Sequence, residues 1–263
     1  MRFVWGYDVN HRLKELLART ALATMLVAGA VVLPGAASAF VLGPTTSPGK
    51  WGTPGMGNPG GVVTWSLMAT GTSCADESVG CSITALADFM PVGYLSVVQA
   101  AFGAWSAVAN ISFSQIGDDG APFNAATGSG DIRLGGHVFD GGGGTLAHGF
   151  YPPLNGASAA GDIHFDIAET WVLTLPDAGF DLFNVLTHEI GHAIGLDHTG
   201  VPASLMNAFY SESFSGLQAD DIAGAQFIYG AAPVTEVPAP ASALVFVFGL
   251  AGLGWARRQI RPN

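Results

Sequence analysis

Positive charge is almost missing from most of this chain. Between residues 40 and 236 only Lys50 and Arg133 are basic, whereas all but two of the chain's 20 acidic residues fall there. A surface of that sign repels the phosphate backbone and argues against nucleic acid as a partner. It suits calcium, which prefers carboxylate and carbonyl oxygens, and it also keeps an exported protein soluble. Cysteine is nearly absent too, with Cys74 and Cys81 the only two. They are too few for a thiolate zinc site. In an exported chain they are expected to pair with each other and close a small structural loop. No internal repeat is visible.

Both ends are apolar. Arg12, Lys14 and Arg19 precede an uncharged run from Ala21 to Leu33, and Ala37-Ser38-Ala39 is a small-residue cleavage site. Residues 1–39 therefore read as a secretory signal peptide, with the mature chain beginning at Phe40. At the other end no charge occurs from Val237 to Ala256, after which come Arg257, Arg258 and Arg261. Such a run can cross a bilayer with the arginines held on the cytoplasmic side. The tail, opened by Val237-Pro238-Ala239-Pro240, resembles the bacterial PEP-CTERM sorting signal, with Ala239 where the usual acidic residue stands. The expected location is outside the cell or on its surface, with residues 237–263 as anchor or sorting signal.

Between the ends, residues 40–61 are rich in Pro, Gly and Thr and read as an extended leader, and 231–236 as a linker. Strands are expected at 62–68, 111–116, 131–134, 145–150 and 162–167. Helices are expected at 92–109, 182–194 and 217–229, the first from the spacing of Leu95, Val98, Ala101, Phe102 and Trp105. A strand-rich first part followed by a helical second part predicts an α+β domain over 62–230.

The chemistry concentrates in His188-Glu189-Ile190-Gly191-His192-Ala193-Ile194-Gly195-Leu196-Asp197-His198. Residues four apart share one helix face, so His188 and His192 can point two imidazoles at one ion. Phe183, Leu186, Ile190 and Ile194 fall on the opposite side, and Asp181 is placed to cap the helix N-terminus. Gly195 can take a left-handed conformation and reverse the chain, returning His198 to the same ion. Three neutral imidazoles fill three zinc positions and leave the fourth for water. Glu189 is not needed as a ligand and is placed to work as the general base.

That extended zinc motif, followed by Met206 in Ser204-Leu205-Met206, resembles the metzincin peptidases. Further matches narrow the resemblance to the matrixins: Asp140 to His148, Gly161 to Glu169, and Leu217 to Ile222 ending at Tyr229-Gly230. The resemblance implies a twisted, mainly parallel five-stranded sheet with an antiparallel edge strand, three helices and a methionine turn beneath the zinc. It implies a structural zinc on His148 and His164, with His137 as third ligand. The family's Asp two residues after the first ligand is absent, because Val138-Phe139 runs directly into Asp140. It implies one calcium site on Asp140, the carbonyls of Gly141 and Gly143, Asp166 and Glu169. A second would use Asp131, Asp162 and carbonyls near Ser158 and Ala160. Tyr210 is expected to wall the substrate pocket.

The function implied is a monomeric zinc endopeptidase. An extended polypeptide would pair with the edge strand while Glu189 activates water. Two other readings remain open at this level: a calcium-stabilised, surface-anchored binding module with an inactive zinc site, and a zinc hydrolase acting on a non-peptide bond.

Overall fold

The computed structural model describes residues 40–233 apart from 45, 47, 48, 154–157 and 176. The expected signal peptide, half of the linker and the C-terminal apolar run lie outside the described residues. Among the described residues, no helix is long and apolar enough to cross a membrane.

In chain order the elements are β1 (Val41–Leu42), β2 (Gly61–Leu67), α1 (Leu86–Phe89), α2 (Tyr94–Val108), β3 (Ile111–Gln115), β4 (Ile132–His137), β5 (Ala147–Gly149), β6 (Ile163–Asp166), β7 (Trp171–Val172), β8 (Phe180–Asp181), α3 (Leu182–Ala193), β9 (Leu196–Asp197) and α4 (Ala219–Tyr229). Five strands form the main sheet in the order β3-β2-β4-β6-β5. The first four run parallel. β5 is the edge strand and pairs antiparallel with β6, placing His148 opposite His164 and Gly149 opposite Ile163. The α+β architecture with an antiparallel edge agrees with the expectation, and the single turn α1 is added to the three expected helices.

Strand alternation sorts this sheet into two chemically different faces. Val63, Trp65, Ile132, Leu134, Ile163 and Phe165 point to one side and pack with α2 and α3 in one core. Val98, Ala101, Phe102 and Trp105 are the buried residues of α2. Burying each large apolar side chain of this set contributes roughly 1.5–3 kcal/mol. The other face carries Ser66, Arg133, Asp162 and His164, all fully buried. Arg133 lies under the loops with its guanidinium forked onto Asp118 at 2.8 Å through Nε and 2.8 Å through Nη2. A smaller core of Met68, Cys74, Ile83, Phe123 and Ala159 closes that side.

Two helix starts differ from the pattern. α2 begins at Tyr94 because Gly93, at φ +98°, turns the chain just before it. Leu95, expected on the apolar face, is at the solvent edge with 36 % exposure. α4 begins at Ala219 because Gln218 and Asp221 form a capping box there.

Candidate metal centres

α3 begins where Asp181 Oδ1 accepts the Phe183 N–H at 2.9 Å. Its buried face contains Leu186, Ile190 and Ile194, while Phe183 is only partly covered. The last carbonyls of a helix need outside donors, and here distant segments supply them. Trp51 Nε1 donates to Ala193 at 2.7 Å, and the Tyr229 hydroxyl to Ile194 at 2.8 Å. The Gly43 amide and Thr46 Oγ1 donate to Gly195 at 2.8 and 2.6 Å. Gly43, Thr46 and Trp51 are therefore packed onto the end of α3, and β1 pairs with β9. Gly195 sits at φ +110°, and a Cβ there would lie 2.7 Å from Thr46 Cγ2, so the reversal needs glycine twice over.

That reversal gathers the three imidazoles. The Nε2 atoms of His188, His192 and His198 lie 3.1, 3.2 and 3.2 Å apart. His188 Nδ1 donates to the Leu205 carbonyl at 2.6 Å and His192 Nδ1 to the Leu196 carbonyl at 2.8 Å. A carbonyl can only accept, so in both rings the proton sits on Nδ1 and the lone pair of Nε2 faces the trio. Burial, and then the neighbouring imidazoles, hold His188 well below the ordinary histidine range. Burial likewise brings His192 down to about 3. Neutral rings with converging lone pairs repel one another unless a cation lies between them. Zinc–nitrogen bonds of about 2.0–2.1 Å at tetrahedral angles require nitrogens about 3.3 Å apart, close to the observed triangle.

Glu189 is 1 % exposed, and neither of its carboxylate oxygens has a hydrogen-bond partner. Burial pushes its carboxyl up to about 8, an effect only partly offset by the Gly149 N–H facing it. β5 crosses α3 at this point, where a Cβ on residue 149 would come within 2.7 Å of the Glu189 carbonyl. The outer edge of β5 has no strand partner among the described residues. His188 also floors a pocket lined by Asn184, Leu205, Phe209, Tyr210 and Phe214. The Tyr210 hydroxyl there accepts the Asp181 N–H at 3.0 Å.

Met206 lies directly under α3, where a Cβ on Gly191 would be 2.3 Å from its Sδ. The turn carrying it is held by a residue the sequence reading passed over. Asp221, 1 % exposed, accepts from the Leu205, Met206 and Gln218 amides at 2.9, 3.0 and 2.7 Å, and from the Ser204 hydroxyl. The capping spacing of Gln218 and Asp221 was the available signal.

Among the described residues two groups of three or more potential ligands have atoms within 4.8 Å of one another: the trio above, and His137, His148 and His164 with Glu77. Glu77 Oε1 lies 2.8 Å from His137 Nε2 and 3.1 Å from His148 Nε2, and Oε2 lies 2.6 Å from His164 Nδ1. Sequence reasoning did not identify Glu77, which sits inside the Cys74–Cys81 disulfide loop. No motif marks it.

The residues expected to hold calcium are arranged less compactly. Asp140 accepts from the Thr145 amide and hydroxyl, and Glu169 accepts the Gly143 N–H at 2.6 Å. Asp131 accepts from Thr64 and lines a surface cavity with Ser158 and Ala160. Asp166 and Asp162 each keep one buried carboxylate oxygen, Oδ2, without a hydrogen-bond partner.

Similarity to known proteins points the same way as this geometry. The chain is 36 % identical over 143 residues to karilysin of Tannerella forsythia, covering 51 % of this chain and 28 % of karilysin. It is 41 % identical over 138 residues to rat macrophage metalloelastase, covering 51 % and 28 %. It is 46 % identical over 110 residues to human matrix metalloproteinase-25, covering 40 % and 19 %. The chain thus matches less than a third of the length of each of these relatives. The family profile described as Matrixin matches residues 78–230, a stretch that holds the zinc-motif helix, the edge strand and the closing helix. On that match, more than half of its length, the chain belongs to the matrixin family.

Proposed function

We propose that this chain is a zinc-dependent endopeptidase that cleaves internal peptide bonds of extracellular proteins. The observation that carries the reading is the triangle of His188, His192 and His198 Nε2 atoms beside the buried, unpartnered carboxylate of Glu189. Zinc, when held by that trio, supplies a Lewis acid that polarises a carbonyl and acidifies water. Glu189 takes the proton from the attacking water and passes it to the leaving nitrogen. The open edge of β5 offers backbone donors and acceptors to an extended substrate, as strand addition requires. Tyr210 walls the pocket beside His188. The reading includes export, action as a monomer, and membrane contact through the C-terminal run before any processing.

Two further ion classes complete the reading. Calcium belongs on Asp140, Asp166 and Glu169 with the carbonyls of Gly141 and Gly143, and on Asp131 and Asp162 with carbonyls near Ser158 and Ala160. The unpartnered oxygens of Asp162 and Asp166 support this, because a buried carboxylate oxygen without a donor is costly unless a cation takes it. A second, structural zinc belongs on His137, His148 and His164.

The test is Glu189→Gln assayed on a quenched fluorescent protein substrate, with zinc content measured on the same samples. The variant is expected to keep its zinc and lose turnover by about 10²-fold or more. Wild-type cleavage is expected to stop when a chelator removes the metal. Full cleavage by Glu189→Gln excludes the proposed base. Wild-type protein that binds zinc yet cleaves no protein substrate favours a binding module.

A further inference from the structure

We propose that Glu77 completes a closed four-ligand zinc site with His137, His148 and His164, and that the Cys74–Cys81 disulfide governs how tightly that site holds its metal. This deepens the structural-zinc reading above and is independent of the catalytic trio. One ring nitrogen from each histidine and one Glu77 oxygen lie within 4.8 Å of one another. His137 Nδ1 donates to its neighbouring Val138 carbonyl at 3.0 Å, which turns the Nε2 lone pair toward Glu77 Oε1 at 2.8 Å. A lone pair and a carboxylate oxygen at that distance need either a proton or a metal ion to bridge them. Three imidazoles and one carboxylate suit zinc, whose structural sites are tetrahedral and closed. The shell around them is aromatic: Phe139 stacks on His148 at 4.7 Å, and Phe123 and Phe150 stand edge-on to His164 at 5.2 and 6.0 Å.

Glu77 comes to this site from an unusual direction. It lies 60 residues before His137 and 87 before His164. It is carried by a short loop whose ends are the two cysteines, seven residues apart. The Glu77 and Ser78 amides both donate back to the Cys74 carbonyl, at 3.0 and 3.2 Å, so the backbone bonds that shape the turn close inside the loop. Cys74 is fully buried and anchors one end. A crevice lined by Ser78, Gly80, Cys81 and His137 gives access to the other end. With the disulfide closed, Glu77 is held ready, and little ordering entropy is lost when metal binds. A dithiol reductant transfers two electrons into the S–S bond and a proton to each cysteine sulfur, and is itself oxidised to a disulfide. The opened loop must then be ordered at the expense of metal affinity.

The experiment counts zinc per chain by plasma mass spectrometry and follows its loss to a graded chelator, using the full chain. Oxidised wild type is expected to hold two zincs; Glu77→Gln keeps one. In the Cys74→Ser/Cys81→Ser variant the second zinc is lost at a chelator concentration at least about tenfold lower. In wild type alone, a phosphine reductant is expected to release one zinc of two to a chromogenic indicator, and this arm decides the matter if Glu77→Gln does not fold. Two zincs on folded Glu77→Gln overturn the ligand assignment. One zinc on wild type means the cluster is held by protons and overturns the site. An unchanged midpoint in the serine variant, or no release on reduction, overturns the redox dependence. No zinc on wild type sinks the peptidase reading as well, which sets that failure apart from the others.

Discussion

Removing the Asp221 carboxylate is the sharpest test of how the fold holds the catalytic trio. Asp221 receives the Leu205 and Met206 amides, and the carbonyl of that same Leu205 receives the His188 Nδ1 proton. The chain of contacts runs from the first turn of α4, through one peptide unit, to a metal-facing imidazole. In Asp221→Ala the buried Leu205 amide and the part-buried Gln218 amide lose their acceptor, and the buried Met206 amide keeps only the Ser204 hydroxyl at 3.2 Å. Each unsatisfied buried donor costs roughly 1–3 kcal/mol, and relaxation makes the sum less than additive. A loss of about 4 kcal/mol is expected, a large part of the roughly 5–15 kcal/mol of a typical domain. Asp221→Asn keeps one acceptor oxygen and is expected to lose about half as much. Urea unfolding followed by tryptophan fluorescence gives the stability. Competition with a chelator gives the zinc affinity at the trio, expected to fall at least about tenfold in Asp221→Ala as His188 loses its fixed orientation. A variant within about 1 kcal/mol of wild type, or one destabilised in full with zinc affinity unchanged, would refute the relay.

Two more expectations follow from the same site. Gly191→Ala places a Cβ 2.3 Å from Met206 Sδ, and overpacking of this kind costs about 1–3 kcal/mol. Pairing it with Met206→Ala should recover part of that loss in calorimetry, and strict additivity of the two changes would show that the residues do not meet. The third concerns pH in metal-free protein. The Glu189 carboxyl is raised from 4.5 to about 8 in the fold, chiefly by burial. Its contribution to stability is therefore full below the unfolded value and is lost as pH rises through the folded one. Metal-free Glu189→Gln should be more stable than metal-free wild type at pH 8, by on the order of 1–3 kcal/mol, and should lose that advantage by pH 4.5. An equal difference at both pH values, read from thermal melts, would count against a buried, unpaired carboxylate.

The parts of the site that could be read from sequence are those whose partners lie within one or two turns of chain. His188, Glu189, His192 and His198 span a helix and one glycine reversal, so spacing alone fixes their geometry. The edge strand and the sheet's polarity came with the family resemblance, since short runs such as β5 have no decisive periodicity. Glu77 and Asp221 were missed for a common physical reason. Each is an acidic residue in a polar stretch, where a solvated surface charge is the ordinary outcome. Only the folding of distant segments turns it inward: a disulfide loop laid over β4 and β6 in one case, the approach of α4 to the methionine turn in the other. Residues 40–61 read as an extended leader because Pro, Gly and Thr dominate them. Yet Gly43, Thr46 and Trp51 supply the donors that finish α3.

β5 links the second metal cluster to the catalytic site. Alternation along this three-residue strand sends His148 to the second cluster and its neighbour Gly149 against Glu189. Ala147 is buried in the main core. A strand so short has too few ladder bonds to stay in place alone, because β6 is its only strand neighbour among the described residues. On the reading advanced above, the ion bound by His148 and His164 pins β5 to β6 at the register where they face each other. Gly149 then holds a fixed distance to the general base. The second cluster thereby sets the position of the edge that an extended substrate must pair with, although none of its four side chains belongs to the His188, His192 and His198 trio.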